Sequence, residues 1–353
     1  MKKIKVGVIG CGGIGCGAHV PSYMANESVE IKYFCDIIPE RAENAVKKNG
    51  CGIAVTDYHE VINDPEVVAV SICTPNNTHP TIAIDAMRAG KHVLCEKPAA
   101  KTLEDALLMQ KVQKETGVNL VIGVVNRYNG AVNEIKRMIA AGDLGNVYHV
   151  YVSFRAHRSI PGLGGLYTNK EVAGGGVLID WGVHYFDLAL YCLGEPEPRS
   201  VTGHAHSVLG CDMPNYVYDS MWAEHSKDLN GVYNVEDLVT GFIRTEGPTI
   251  PFNGCWAQNI EPEERYIDFI GDKGGIHLHY CGDFIYYTVK DKQFVNCRPA
   301  FDDKDMYQVE IDSFVRSIET GEKLQSHIDY VIKTAKIMQG IYDSSASGKE
   351  III

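Results

Sequence analysis

Ile4-Lys5-Val6-Gly7-Val8-Ile9-Gly10-Cys11-Gly12-Gly13-Ile14-Gly15 is the stretch on which the fold turns. Ile4 to Ile9 is a short apolar run of the kind that forms a buried parallel strand, and it leads directly into a GxGxxG pattern. In that pattern Gly10 allows a tight turn, Gly12 lets the backbone approach a pyrophosphate, and Gly15 lets the next helix pack close to the strand. Gly13 and Ile14 then open a helix whose unpaired N–H groups face the phosphates. The chain holds 35 glycines, so the spacing alone would arise by chance. A second apolar strand gives the pattern weight: Val29 to Cys35 ends at Asp36, about 20 residues beyond Gly15. A carboxylate there accepts hydrogen bonds from a free ribose diol and repels a 2′-phosphate, so NAD(H) is expected rather than NADP(H). Arg41 could reach such a phosphate, but it reads better as a solvated charge on a helix containing Pro39-Glu40-Arg41-Ala42.

The strand and helix rhythm continues. Val67 to Cys73 reads as a strand ending in Thr74-Pro75-Asn76-Asn77-Thr78-His79, followed by a helix over Thr81 to Ala89 that Gly90 closes. His92 to Cys95 is the next strand, ending in Glu96-Lys97-Pro98; Leu103 to Thr116 is helical and Asn119 to Val125 is a further strand. Ligands of open parallel sheets sit at the carboxyl ends of the strands. Thr74, Pro75, Asn76, His79, Glu96 and Lys97 are therefore candidate cofactor contacts, with Asn126, Arg127 and Tyr128 placed to line the cleft.

A second stretch carries chemistry: Gly174-Gly175-Gly176-Val177-Leu178-Ile179-Asp180-Trp181-Gly182-Val183-His184-Tyr185-Phe186-Asp187-Leu188. In a helix, Asp180 and His184 project from one face as an acid/base pair. Gly194 followed by Glu195-Pro196 makes a stop. Asp187 on the same face reads as a structural partner of a neighbouring element. A metal site built on Asp180 and His184 would need a further ligand that the sequence does not supply, so no metal is expected. Upstream, Arg155, His157 and Arg158 offer donors for hydroxyl groups and the glycines around Leu163 could let that segment move as a lid; a surface loop with incidental charge is the equal alternative.

At 353 residues and 45% apolar content the chain suits two domains with sizeable cores. Its net charge of −12 argues against a nucleic-acid binder, whose affinity needs clustered Lys and Arg. Eleven cysteines occur singly with no C-x-x-C, which fits reduced thiols in a cytoplasmic protein. Basic residues precede the first apolar run, as in a signal peptide, but glycines interrupt it, and no span of about 18 apolar residues occurs. Neither secretion nor a membrane partner is expected.

Taken in order, GCGGIG, CTPNNTH at 73–79, CEKP at 95–98, GVVNRY at 123–128 and GGGVLIDWGVHYFDL at 174–188 resemble the glucose-fructose oxidoreductase/inositol dehydrogenase/MocA family over essentially the whole chain. The resemblance implies an α/β Rossmann domain, taken as 1–125. It also implies an α+β domain over 126–353 with a large, mostly antiparallel open sheet, whose face makes a homodimer or homotetramer interface. The carboxy-terminal helices would be free to pack back on the Rossmann domain. Strands over 145–154, 238–244, 255–259 and 266–271 and helices over 310–319 and 330–344 are compatible with this, with Gly321 as a C-cap.

Carried over by motif, Lys97, Asp180 and His184 are the positions around the substrate hydroxyl. They imply oxidation of a secondary alcohol of a sugar, glycoside, sugar derivative or cyclic polyol with NAD(H). Lys97, Tyr128, Arg155, His157, Arg158, Asp180 and His184 are then the expected substrate contacts. The segment with Arg-x-x-Pro-Gly before the glycine triplet looks most like members acting on pyranose rings. An inositol dehydrogenase is the rival enzyme, and an NAD(H)-binding, sugar-sensing regulator without turnover is the rival of another class.

Overall fold

The computed structural model describes residues 3–261 and 263–353; Met1, Lys2 and Pro262 lie outside them. The chain forms two units, Met1–Tyr128 with Lys304–Ile332, and Asn129–Asp303 with Lys333–Ile353.

In the first unit β1 (Ile4–Ile9), α1 (Val20–Ala25), β2 (Val29–Cys35), α2 (Pro39–Asn49), β3 (Ile53–Val55), α3 (Tyr58–Ile62), β4 (Val67–Ile72), α4 (His79–Arg88), β5 (His92–Glu96), α5 (Leu103–Thr116) and β6 (Leu120–Gly123) alternate. The strands form one parallel sheet in the order β3-β2-β1-β4-β5-β6. Helices cover both faces, so Val6, Val8, Phe34, Ala69 and Leu94 are all buried, as continuous apolar strands require. Helix ends follow local chemistry: the Thr102 side chain accepts from Asp105 N, and Gly117 ends α5 at φ +70°.

The last strand is shorter than the expected 119–125. After Gly123 the chain turns at Val125–Tyr128, where fully buried Arg127 donates through Nη1 to Gln325 O at 2.5 Å and its carbonyl accepts from Gln325 Nε2 at 2.7 Å. A later helix, Met306–Thr320, also belongs to this unit: Ile311, Phe314 and Val315 join the core of Val6, Val8 and Phe34. Asp305 caps it, accepting from Gln308 N at 3.0 Å, and so starts it earlier than the expected Glu310.

The second unit contains α6 (Gly130–Ala141), β7 (Val147–Arg155), α7 (Lys170–Ala173), α8 (Val183–Cys192), β8 (Pro198–His206), β9 (Leu238–Thr245), β10 (Thr249–Cys255), β11 (Glu264–Gly271), β12 (Gly274–His279), β13 (Phe284–Lys290) and β14 (Gln293–Cys297). The helix of residues 306–320 is α9; α10 (Ile328–Ser347) and β15 (Ile351–Ile352) come after it. The nine strands order as β14-β13-β12-β11-β7-β10-β9-β8-β15, and among the described residues only the β7–β10 pairing is parallel. Val150, Val152 and Phe154 of β7 pack with Val183, Phe186 and Leu190 of α8. The alternate residues, Tyr151 and its cross-strand neighbours Asp268 and His277, lie on the other face, as do Val289 and the exposed Phe294.

The expected strand at 255–259 is not formed. β10 lies just before it, ending at Cys255, and its Pro251 disguised it as a loop, since proline lacks a ladder donor.

Candidate active site

The glycine loop lies between β1 and β4, where the strand order reverses. Gly10 has φ +100°, and a Cβ there would lie 2.4 Å from the Cys73 carbonyl oxygen. A Cβ on Gly15 would meet the Gly10 oxygen at 2.1 Å, whereas Gly12 and Gly13 have no described atom within 4 Å of theirs. Two glycines thus close the turn and two leave backbone open to a ligand. Past Ile14 the helix begins with a wide π turn, Gly15–His19, closed by Val20 N donating to Gly15 O. Asp36 accepts from Cys11 N at 2.9 Å through Oδ2 and from Ile38 N at 2.9 Å through Oδ1. A carboxylate oxygen accepts two hydrogen bonds, so both retain capacity for a ribose diol. Arg41 is exposed on α2. These residues fit a dinucleotide.

At the end of β5, Glu96 is buried and joined to residues that sequence reasoning did not single out. Its Oε1 lies 2.9 Å from His19 Nε2, and its Oε2 accepts from the backbone N–H of Lys97 at 3.1 Å. His19 Nδ1 lies 3.1 Å from Ser71 Oγ, which meets Tyr23 OH at 2.8 Å. Burial would raise the Glu96 carboxyl, but the His19 hydrogen bond and the charges of His19 and Lys97 outweigh it and hold the group below its ordinary value. Lys97 itself is partly exposed.

His79 is fully buried, with Nδ1 2.8 Å from Pro98 O and Nε2 2.9 Å from Thr74 O, and burial lowers its pKa. It ties the loop after β4 to the loop after β5. Thr74 accepts from Thr78 Oγ1 at 2.7 Å, Pro75 is exposed and Asn76 partly so. Asn126, Arg127 and Tyr128 are buried, and Tyr128 OH lies 2.7 Å from Ser326 Oγ.

In the second unit Val177 leads into a π turn at Leu178–Gly182, which passes into α8. Val183 N donates to Leu178 O across it. Asp180 and His184 are each partly exposed while Ile179, Val183 and Tyr185 beside them are buried, so the pair shares the open side of this helix. The turn is anchored by Glu236, whose Oε1 accepts from Gly176 N at 2.9 Å, Leu178 N at 3.0 Å and Tyr342 OH at 3.0 Å. A Cβ on Gly176 would lie 2.0 Å from the Glu236 carbonyl oxygen, and one on Gly175 would lie 1.9 Å from Tyr342 OH. The glycine triplet therefore makes room for this anchor. Burial raises the Glu236 carboxyl despite its three donors. Asp187 is buried and faces Thr334 Oγ1 at 3.4 Å.

The proposed substrate donors are dispersed. Arg155 follows Phe154 on β7 and pairs with Glu264, on the sheet face opposite the one that α8 covers. His157 Nδ1 lies 3.3 Å from Asp219 Oδ2, and Arg158 donates to Asn259 Oδ1 at 2.5 Å. The segment around Leu163 is stitched down: Leu163 is fully buried and its carbonyl accepts from Asp228 N at 3.0 Å. Its glycines serve close approach, which replaces the expected hinge. Among the described residues no cluster of three or more His, Cys, Asp or Glu is placed to hold a metal ion.

Residues 4–124 match the model of an oxidoreductase family with an NAD-binding Rossmann fold, and residues 132–277 match the GFO/IDH/MocA C-terminal domain. A levoglucosan dehydrogenase of Pseudarthrobacter phenanthrenivorans is 32% identical over 298 residues, covering 79% of this chain and 74% of that one. The chain belongs to the GFO/IDH/MocA oxidoreductase family. A D-glucoside 3-dehydrogenase of Escherichia coli (strain K12) from the curated relatives is 25% identical over 350 residues, 99% of this chain and 97% of its own. A solved levoglucosan dehydrogenase, in complex with NADH and levoglucosan, superposes with a TM-score of 0.85 at 22% identity over 100% of both chains. That likeness extends the family's two-part fold to the whole chain. No described helix is long and apolar enough to cross a membrane.

Proposed function

We propose that the protein is an NAD-dependent dehydrogenase that oxidises a secondary hydroxyl of a pyranose sugar, glycoside or anhydrosugar. The observation that carries this is the anchored helix start that presents Asp180 and His184 on one open side, in a chain whose other unit holds an NAD-type loop with Asp36. Bound NAD supplies the hydride acceptor. His184 takes the hydroxyl proton, since imidazole is the side chain most often used as a general base near neutral pH. Asp180 orients the imidazole or the substrate hydroxyl. Lys97, whose backbone is fixed by Glu96, stabilises the oxyanion character that develops on the reacting oxygen.

Eleven free cysteines support a cytoplasmic setting. The exposed sheet face with Tyr151, Val289 and Phe294 supports a homodimer or homotetramer, which light scattering would count. The deciding experiment follows NAD reduction by absorbance with glucose, glucosides, levoglucosan and inositols. One sugar class should reduce NAD, and His184→Ala should lower kcat by about 10²–10⁴-fold while NAD affinity stays unchanged. Clear NAD binding without turnover of any sugar would sink this reading in favour of a sensor.

A further inference from the structure

A chain of buried polar groups runs from the dinucleotide loop to the turn that carries Lys97. Gly15, the last glycine of the loop, opens the π turn that His19 closes, so both belong to one short hydrogen-bonded piece of backbone. The His19 imidazole is fully buried, with Nε2 2.9 Å from Glu96 Oε1 and Nδ1 3.1 Å from Ser71 Oγ, which lies 2.8 Å from the hydroxyl of buried Tyr23. Glu96 is the last residue of β5, and its carboxyl is held below the ordinary value, so near neutral pH it only accepts. His19 Nε2 donates to one of its oxygens and Lys97 N to the other, at 3.1 Å. Gly123 of β6, the sheet partner of Glu96, leaves room for this carboxylate: a Cβ there would lie 2.9 Å from Oε1. Replacing a buried pair of this kind by apolar side chains is often neutral or stabilising, so stability alone does not account for enclosing His19, Ser71 and Glu96. What the chain of bonds does fix is position.

We propose that His19 is a positioning residue for hydride transfer, acting through Glu96 to hold the Lys97 turn in register with the dinucleotide loop. A carboxylate with one partner turns about its own side-chain bonds. With one oxygen tied to the turn after the glycine loop and the other to the Lys97 N–H, Glu96 locks together two segments that lie 77 residues apart in sequence. The loop places the cofactor, and Lys97 serves the oxygen on the carbon that gives up the hydride. An error in their separation is therefore an error in the reacting geometry, where a misplacement of about 1 Å costs about 10²-fold in rate. This rests on the role given to Lys97 above and adds the residue that sets its place.

The test joins turnover, with a sugar that reduces NAD, to hydrogen–deuterium exchange at the Lys97 amide, which needs no substrate. His19→Ala should lower kcat by about 10–10²-fold with the sugar KM little changed, and should speed exchange of the Lys97 amide by about tenfold. His19→Gln, whose amide still donates to Glu96, should recover most of both. In a Glu96→Ala background His19→Ala should cost nothing further, since its route to Lys97 is gone. Should His19→Ala not fold, Ser71→Ala removes only the hydroxyl that steadies the imidazole and should move both readouts the same way to a smaller extent. A folded His19→Ala, or Ser71→Ala in its place, with the wild-type kcat would overturn the proposal while leaving the dehydrogenase reading intact, and so would additive losses in the double variant. Faster Lys97 exchange in His19→Ala, where the wild type turns over no sugar, would support the tie and overturn the dehydrogenase reading. Unchanged exchange without any turnover would overturn both.

Discussion

Glu310 is fully buried on α9, and among the described residues neither of its carboxylate oxygens has a hydrogen-bond partner. Burial, and then the charge of Glu96, raise it well above the ordinary value of 4.5. The folded state therefore keeps a proton that the unfolded chain releases, so this group's stabilising contribution is complete below about 4.5 and is lost as pH rises toward the folded value. Glu310→Gln removes that dependence. Thermal unfolding should show the variant gaining on wild type by about 1.4 kcal/mol per pH unit between about pH 5 and the folded value; parallel curves would show that Glu310 is ionised in the folded protein. At the dinucleotide loop, Asp36→Ala removes the carboxylate that repels a 2′-phosphate and frees Cys11 N. It should weaken NAD binding and raise relative NADP affinity, read by titration of both cofactors; a wild type that already prefers NADP would remove the basis for naming NAD. Asp36 was legible because it stands at a fixed interval from a local motif, and Asp180 with His184 because helical spacing pairs them. His19 and Glu236 were not, because their partners Glu96 and Gly176 lie 77 and 60 residues away in sequence.

The two elements that carry the chemistry begin in the same way, with a π turn after glycines, Gly15–His19 before α1 and Leu178–Gly182 before α8. Each turn has a buried acidic residue bonded to it: Glu96 meets His19 within the first, and Glu236 accepts from Leu178 N in the second. Periodicity predicts a helix in both places but not its wide first turn. Amphipathic spacing likewise located α5 and most of α9, whereas β12, β13 and β14 were missed because their short alternations only gain meaning once paired beside β11. If the Glu236 anchor fixes the angle at which Asp180 and His184 are presented, Glu236→Ala should lower kcat more than it raises KM and leave NAD affinity alone. Glu236→Gln, which keeps an acceptor for Gly176 N and Leu178 N, should restore most of the rate. Gly176→Ala should mimic the defect and cost about 1–3 kcal/mol, because its methyl group would displace the Glu236 backbone. An unchanged kcat in Glu236→Ala would reduce the anchor to a purely structural role.

Across the whole chain, β1 to β6 all lie before residue 125, and α9 belongs to the first unit because its face of Ile311, Phe314 and Val315 completes that unit's core. The next helix belongs to both units: α10 runs through Ile328–Ser347, and the division falls at Ile332 and Lys333 within it. Helix formation is cooperative, so unfolding of either unit frays a helix that contributes Ile337, Met338 and Ile341 to the core of the second. The chain's three tryptophans, Trp181, Trp222 and Trp256, all lie in the second unit, while the dinucleotide loop and Asp36 lie in the first. Tryptophan fluorescence therefore reports the unit that does not contain that loop. NAD at about 100 times its Kd should stabilise the native state by about 2.7 kcal/mol, and the shared helix should pass that gain on, so that the fluorescence midpoint rises together with the calorimetric one. A calorimetric transition that shifts while the fluorescence midpoint stays fixed would show that the two units unfold independently, with α10 able to fray at Ile332 at little cost.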